Sequence, residues 1–85
     1  MEEKINVKVN DFLMMLLSSM VDYPEQLRIE DKDKPNGGIV FSIYAKQSDI
    51  GKILGRKGKN LNALKVLTGV LSAKYKTTIY IEVKG

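Results

Sequence analysis

An 85-residue chain has room for one small domain, and this one contains neither cysteine nor histidine. It therefore forms no internal disulfide and lacks the commonest general base and metal ligand, so we expect no metal, no cofactor and no enzyme activity. Its net charge of +4 divides unevenly: residues 1–45 hold five basic and eight acidic residues (−3), and residues 46–85 hold nine and two (+7). A basic half is typical of proteins that bind polyanions, although a solvated face that maintains solubility has the same composition.

No segment resembles a membrane span or a secretion signal. The longest uninterrupted apolar run is Phe12–Leu17, far too short to cross a bilayer, and residues 1–9 include Glu2, Glu3 and Lys8. The lack of cysteine also fits a reducing compartment. We therefore expect a soluble cytoplasmic protein in which residues 1–85 form a single domain.

The first predicted element is an amphipathic helix. Asn10 and Asp11 suit a helix start, the helix continues through Phe12–Val21, and Pro24 ends it. Its apolar face comprises Phe12, Leu13, Leu16, Leu17, Met20 and Val21. Residues 5–9 alternate like a strand but also continue the helical spacing, and we favour an early helix turn over an N-terminal extension.

Met14 and Met15 fall outside that apolar face. Methionine is adaptable and suits contact surfaces, so these two residues are candidates for a protein contact. An N-terminal segment folded over them would explain them equally well.

Two strands follow the helix. Leu27–Asp31 and Ile39–Ala45 alternate between apolar and polar residues, and the intervening Lys32–Gly38 is rich in turn-forming residues. These features predict a β-hairpin. The inward positions are Leu27, Ile29, Ile39, Phe41, Ile43 and Ala45.

A short helix, a long helix and a final strand complete the chain. Ser48 is predicted to cap the helix Asp49–Leu54, and Lys59 begins a helix that ends at about Lys76. The apolar stripe of the long helix consists of Leu61, Leu64, either Leu67 or Thr68, and Leu71. With Thr77–Val83 as the last strand, the order α-β-β-α-α-β predicts an α+β fold with a three-stranded sheet and all helices packed on one face.

The two later helices are joined by a turn with two glycines and two cations. Gly55 and Gly58 enclose Arg56 and Lys57, and Lys59 adds a third cation at the start of the next helix. Glycine permits close approach of a ligand, and the first amides of a helix attract phosphate. A plain turn explains the glycines but not three cations that oppose the helix dipole. The spacing fits neither the P-loop nor the dinucleotide-binding glycine motif.

Residues Ile50–Leu61, IGKILGRKGKNL, closely resemble the signature of KH domains. The core of that signature is I-G-x-x-G-x-x-I, in which Leu54 and Leu61 replace the terminal isoleucines. The resemblance implies single-stranded RNA or DNA as the ligand, held by a G-x-x-G turn that clamps about four nucleotides. The predicted element order is that of the type II KH fold. The short chain, with Val21–Glu25 after its first helix, is similar to the bacterial single-KH-domain RNA-binding proteins.

The resemblance implies a role for each matching residue. Those expected to hold the nucleic-acid backbone are Gly55, Arg56, Lys57 and Gly58, with further phosphate contacts from Lys46, Lys52 and Lys59. Those expected to form an apolar groove floor are Ile50, Ile53, Leu54 and Leu61. Core packing accounts for Ile53 and Leu61 at least as well. Residues 42–46 would line the far wall. Tyr44 and Tyr80 fall on the outer sheet face, where cross-strand packing is favoured over base stacking.

Protein partners are also implied by the resemblance. A single small KH domain offers little binding area, and the family suggests pairing as a homodimer or with a larger KhpB-like protein that carries a further nucleic-acid-binding domain. By the same resemblance the complex acts as an RNA chaperone that affects cell-wall homeostasis and cell length. The alternative is a protein-interaction module whose nucleic-acid binding is secondary.

Overall fold

A computed structural model describes residues 4–84 of the chain. Within them the helices are α1 Ile5–Ser18, α2 Gln47–Leu54 and α3 Lys59–Tyr75, and the strands are β1 Arg28–Asp33, β2 Ile39–Tyr44 and β3 Ile79–Lys84. Short 3-10 turns, Pro24–Gln26 and Arg56–Gly58, precede β1 and α3. The predicted order and the α+β class are confirmed. In this part of the chain no helix is long and apolar enough to cross a membrane.

Helix α1 begins and ends earlier than the sequence predicts. It starts at Ile5, which confirms the early helix turn, and the predicted start at Asn10 lies inside the helix. At the other end the hydroxyls of Ser18 and Ser19 both donate to the Met15 carbonyl at 3.1 Å. Side-chain bonds of this kind compete with the helical pattern, and the helix stops at Ser18.

The sheet has the order β1-β2-β3, so that β2 is central. β1 and β2 form the predicted antiparallel hairpin, in which Arg28 lies opposite Tyr44. β3 pairs with β2 in parallel, with Ile79 opposite Ile39. A parallel pair requires a long crossover connection, which α2 and α3 provide. β1 and β3 are therefore the two edges of the sheet.

The three helices cover one face of the sheet and enclose the core. The buried line of α1 follows four-residue spacing, which leaves Phe12 only half-buried at its flank. In α3 the buried position is Thr68, whose hydroxyl donates to the Leu64 carbonyl at 3.0 Å, whereas Leu67 is exposed. The buried apolar residues are Val9, Leu13, Leu17, Val21, Leu27, Ile39, Phe41, Ile43, Ile53, Leu64 and Ile81.

The predicted cap of α2 is wrong. The helix begins at Gln47, before Ser48, and the Asp49 amide donates to the Lys46 carbonyl at 2.8 Å. No side-chain hydrogen bond caps this helix start in the part of the chain that the structure describes. The helix is instead anchored by its core residue Ile53 and by the buried carboxylate of Asp49.

Candidate nucleic-acid interface

The turn between α2 and α3 has a left-handed backbone. The φ angles of Gly55, Lys57 and Gly58 are +75°, +56° and +75°. Inside the turn, the Gly58 amide donates to the Gly55 carbonyl at 3.1 Å and the Lys59 amide donates to the Arg56 carbonyl. These two amides already donate within the turn, so they are not free to bind the phosphate that the first amides of a helix attract.

The two glycines of the turn have different surroundings. A methyl group at Gly55 would lie 2.6 Å from Cγ of Asn60 and 2.8 Å from its backbone nitrogen, closer than such atoms pack. A methyl group at Gly58 would meet no atom within 4 Å in residues 4–84. Gly55 is therefore the packed side of the turn, and the space beside Gly58 is open.

The cations of the turn lie at the surface. Arg56, Lys57 and Lys59 are all exposed. Among the described residues, the ion pairs and the cation–π contacts involve none of the three. Their charges are consequently available to an external anion at the same place where the backbone is open.

The two lysines expected to extend the phosphate contacts already have partners. Lys52 Nζ lies 2.8 Å from the carboxylate of Asp22, and this hydrogen bond raises the pKa of Lys52 above its ordinary value. Lys46 Nζ lies 3.7 Å from the ring centre of Tyr23. Asp22 and Tyr23 belong to the segment that follows α1. The buried carboxylate of Asp49 fixes that segment to α2, because it accepts hydrogen bonds from the Asp22 and Tyr23 amides at 3.1 and 3.0 Å. No pattern in the sequence indicates that Lys52 pairs with Asp22 or that Lys46 lies over the ring of Tyr23. Within residues 4–84 no three acidic side chains are grouped as metal ligands would be.

The expected apolar floor is divided between surface and core. Ile53 is 0% exposed, because α2 turns this side chain toward the sheet, so of the two roles considered from the sequence the structure gives it core packing. Leu61 is partly buried and packs against the core. Ile50 and Leu54 are half-buried on the flanks of α2 and are the accessible part of the expected floor.

β3, and not the end of β2, is the edge strand beside α3. Ser42 belongs to the central strand, and its hydroxyl donates to Glu82 at 3.3 Å. A groove of about 360 Å³ follows the β3 edge and is lined by Lys65 of α3, residues 79–82 of β3, Lys34 and Val40. Sequence reasoning missed Lys65 and β3, since only the parallel pairing shows which strand is at the edge.

The two tyrosines of the outer sheet face each hold a cation. The guanidinium carbon of Arg28 lies 4.4 Å from the ring centre of Tyr44, its direct neighbour across the hairpin. Lys34 Nζ lies 4.1 Å from the ring centre of Tyr80. The Arg28–Tyr44 pair is the cross-strand packing favoured from the sequence.

Comparison with known proteins now identifies the family. The KhpA/KhpB KH-domain model matches residues 10–83. The chain belongs to this family. The RNA-binding protein KhpA of Chlamydia pneumoniae is 25% identical over 75 residues, which cover 88% of this chain and 95% of the relative. KhpA of Streptococcus pneumoniae serotype 4 is 24% identical over 68 residues (80% and 85%), and KhpA of Leifsonia xyli is 30% identical over 60 residues (71% and 78%).

In this member of the KhpA/KhpB family, α3 also has an exposed apolar face that sequence reasoning missed. Val66, Leu67 and Val70 are 69%, 43% and 66% exposed. Val66 and Val70 lie on the side of the helix opposite the buried Leu64 and Thr68, and Leu67 lies between the two sides. A helix that is apolar on two sides does not reveal from its spacing alone which side is buried. Between α1 and α3 lies a groove of about 160 Å³, lined by Leu16, Met20, Asn60, Ala63, Leu64 and Leu67.

The two methionines of α1 that were candidates for a protein contact differ in exposure. Met15 is 61% exposed, as predicted. Met14 is partly buried and packs against the core, so the expectation that it lies outside is wrong. The reason is helical geometry, since Met14 shares a side of α1 with Leu17 and with the buried Val21 that follows the helix.

Proposed function

We propose that this protein binds single-stranded RNA at the turn between α2 and α3, and that its role is binding rather than catalysis. The observation that carries the proposal is the pair of exposed cations, Arg56 and Lys57, held between Gly55 and the open side of Gly58. A G-x-x-G turn suits backbone recognition because no glycine side chain hinders the ligand. The relatives from Chlamydia and Streptococcus are named RNA-binding protein KhpA, which supports RNA as the ligand.

In the proposed complex the ligand crosses the turn and continues along the β3 edge. Arg56 and Lys57 bind phosphates, and the guanidinium of Arg56 can bind a phosphate through two parallel hydrogen bonds. Ile50 and Leu54 provide apolar contact for unstacked bases. Lys65 supplies a further cation where α3 passes the groove beside β3. Base edges must be accessible in such a groove, so a single strand is favoured over a duplex.

Reversal of the two charges tests the proposal. Arg56→Asp with Lys57→Asp is expected to weaken binding of a fluorescent single-stranded RNA by more than about a hundredfold, since each charge-assisted hydrogen bond contributes ~1.5–3 kcal/mol. The fold should persist, because both residues are exposed and Asp tolerates the left-handed conformation of Lys57. Circular dichroism and thermal melting check this.

A matched control exists at the other end of α3. Lys74→Asp with Lys76→Asp makes the same charge change on exposed residues, and Lys76 is also left-handed, with φ +54°. It is expected to leave the RNA affinity within a few-fold of wild type, because those lysines lie away from the turn. Near-wild-type affinity of the folded Arg56/Lys57 variant, or an equal loss in the control, would contradict the proposal.

Salt dependence measures the number of phosphates that the protein neutralises. Three to four contacts predict a log–log slope of affinity against salt of about −2 to −3, at ~0.7 per phosphate for a single strand. The titration is repeated with a duplex of the same sequence. A flat salt response, or tighter binding of the duplex, would exclude recognition through the turn cations.

We further propose that residues 1–85 act in the cytoplasm as one KH domain and an RNA chaperone, together with a KhpB-like partner, and affect cell-wall homeostasis and cell length. The family match, which covers KH domains of both KhpA and KhpB, supports this proposal. The test is a pull-down of the tagged protein from its host, with RNA and protein readouts. RNA crosslinking in cells with and without the partner then separates a shared role from an independent one.

A protein-interaction module is the second candidate function, favoured by the exposed face of α3. We propose a second copy of this chain as its occupant, since a twofold axis brings the same apolar residues of both copies together without any need for opposite charges. Light scattering should show a dimer. Val66→Glu with Val70→Lys should shift the mass to a monomer, while this i,i+4 pair still supports the helix.

Met15→Lys is the comparison for that experiment, because Met15 is the exposed candidate contact on α1. A dimer that persists in the Val66/Val70 variant but is lost in Met15→Lys would move the interface to α1. A monomeric wild type would remove the second candidate function altogether.

A further inference from the structure

Asn60, in the first turn of α3, is hydrogen-bonded to the end of the preceding helix. Its side-chain Nδ2 donates a hydrogen bond to the Lys52 carbonyl at 2.8 Å. That carbonyl belongs to the last turn of α2, where helical partners run out. The bond therefore joins the end of α2 to the start of α3 directly across the G-x-x-G turn.

The same residue fixes the position of the packed glycine. Gly55 lies against the side chain and the backbone nitrogen of Asn60, with no room for even a methyl group. The hydrogen bonds of the turn depend on that position: the Gly55 amide donates to Gly51 at 2.8 Å, and the Gly55 carbonyl accepts from Gly58 at 3.1 Å. Asn60 consequently limits how far Gly55, and with it the acceptor and donor of these two bonds, can move.

We infer that Asn60 is a positioning residue, which preorganises the turn for the nucleic-acid backbone without touching it. The inference rests on the proposed RNA binding. Lys57 has a left-handed conformation that is unfavourable for a residue with a side chain. Without the contacts of Asn60, the turn could therefore adopt other backbone conformations, in which Arg56 and Lys57 lie farther apart. A turn held in the binding geometry avoids the cost of ordering these side chains when the ligand arrives.

The substitution Asn60→Leu isolates the hydrogen bond. Leucine has the same number and branching of side-chain heavy atoms as asparagine, is a better helix former, and has its additional methyl volume next to the apolar groove that Asn60 lines, but it cannot donate to Lys52. We expect the thermal midpoint to stay at or above that of wild type. We expect the affinity for the fluorescent single strand to fall by about five- to tenfold, the effect of one hydrogen bond, with an unchanged salt slope because the same phosphates are bound.

Asn62→Leu is the matched control. Asn62 is exposed on the same helix, and its side chain makes no hydrogen bond within residues 4–84. The second readout needs no RNA: amide hydrogen exchange of Gly55 and Gly58 should become faster in Asn60→Leu and remain unchanged in Asn62→Leu. If the wild-type protein fails to bind single-stranded RNA, the proposed function falls, but the exchange rates still decide whether Asn60 holds the turn.

Three results would overturn the inference. The first is unchanged exchange and affinity in Asn60→Leu. The second is an equal change in Asn62→Leu, which would indicate a general effect on the helix. The third is a loss of affinity with unchanged exchange, which would make Asn60 a direct RNA contact.

Discussion

Two turns of this chain each use a pair of glycines with positive φ angles. In the β1–β2 hairpin, Gly37 and Gly38 have φ angles of +94° and +96°, and between α2 and α3 both Gly55 and Gly58 have +75°. Each pair contains one packed and one open member. Gly38 and Gly55 lie against neighbouring atoms, whereas Gly37 and Gly58 have nothing within 4 Å of an added methyl group in the described part of the chain.

The cations beside the two turns make the difference. Lys34 at the hairpin lies over the ring of Tyr80, and its amide donates to the Gly38 carbonyl at 2.9 Å. Arg56 and Lys57 have no ion-pair or cation–π partner within residues 4–84. Glycine therefore accounts for the shape of both turns. The candidate site is the turn whose cations have no ion-pair or cation–π partner among the described residues.

The largest effect is expected from the packed glycine. Gly55→Ala should lower the free energy of unfolding by ~2–6 kcal/mol, because the strain of its backbone conformation, φ +75° with ψ 169°, which few residues other than glycine adopt (~1–3 kcal/mol), adds to overpacking against Asn60 (~1–3 kcal/mol). Gly58→Ala has the strain alone and should cost ~1–2 kcal/mol. Urea unfolding measures both. Equal losses would show that the contact of Gly55 with Asn60 contributes nothing to stability.

An intermediate effect should separate shape from charge within the turn. Lys57→Gly relieves the strain of φ +56°, so the free energy of unfolding should rise by ~0.5–1 kcal/mol. RNA affinity should nevertheless fall at least about tenfold, because one charge-assisted hydrogen bond is lost. The control is Lys76→Gly, which relieves the same strain at φ +54° and should leave RNA affinity unchanged. If the Lys57→Gly protein binds RNA as tightly as wild type, the charge of Lys57 contributes nothing to binding and only the shape of the turn matters.

The smallest effect is expected for Lys52, which is paired with Asp22. Asp22→Asn removes the negative charge 2.8 Å from Lys52 and should weaken its hold on this lysine, so that Lys52 binds phosphate more readily and RNA affinity rises about two- to fourfold. Stability should change by less than ~1 kcal/mol, because the pair is exposed to solvent. The same RNA titration detects the change. An unaltered affinity would place Lys52 outside the path of the ligand.

The elements predicted best depend on residues that are close in the sequence. Strand alternation and turn residues predict the hairpin, and helical spacing predicts the extent of α3, because each is a local backbone preference. The helix ends were misplaced by a few residues, whereas the errors about which side chains are buried concern contacts between distant segments. Asp49 is buried because its carboxylate accepts hydrogen bonds from the amides of Asp22 and Tyr23, which lie more than twenty residues away. No periodicity in the sequence encodes such contacts.

The candidate site divides in the same way. The turn itself was predictable, since its glycines and cations are consecutive in the sequence. Which cations are free was not, because the partners of Lys46 and Lys52 come from the segment after α1. The burial of Ile53 likewise depends on the orientation of α2 over the sheet.

The parallel pairing of β2 with β3 governs how the nascent chain folds. β2 ends at Tyr44 and β3 begins at Ile79, so the central strand lacks its second neighbour until residues 79–84 have been synthesised. A two-stranded hairpin is marginal in water, whereas helices such as α3 form from local contacts. We therefore expect translation to produce helices before a finished sheet, and the last strand to commit the domain to its fold.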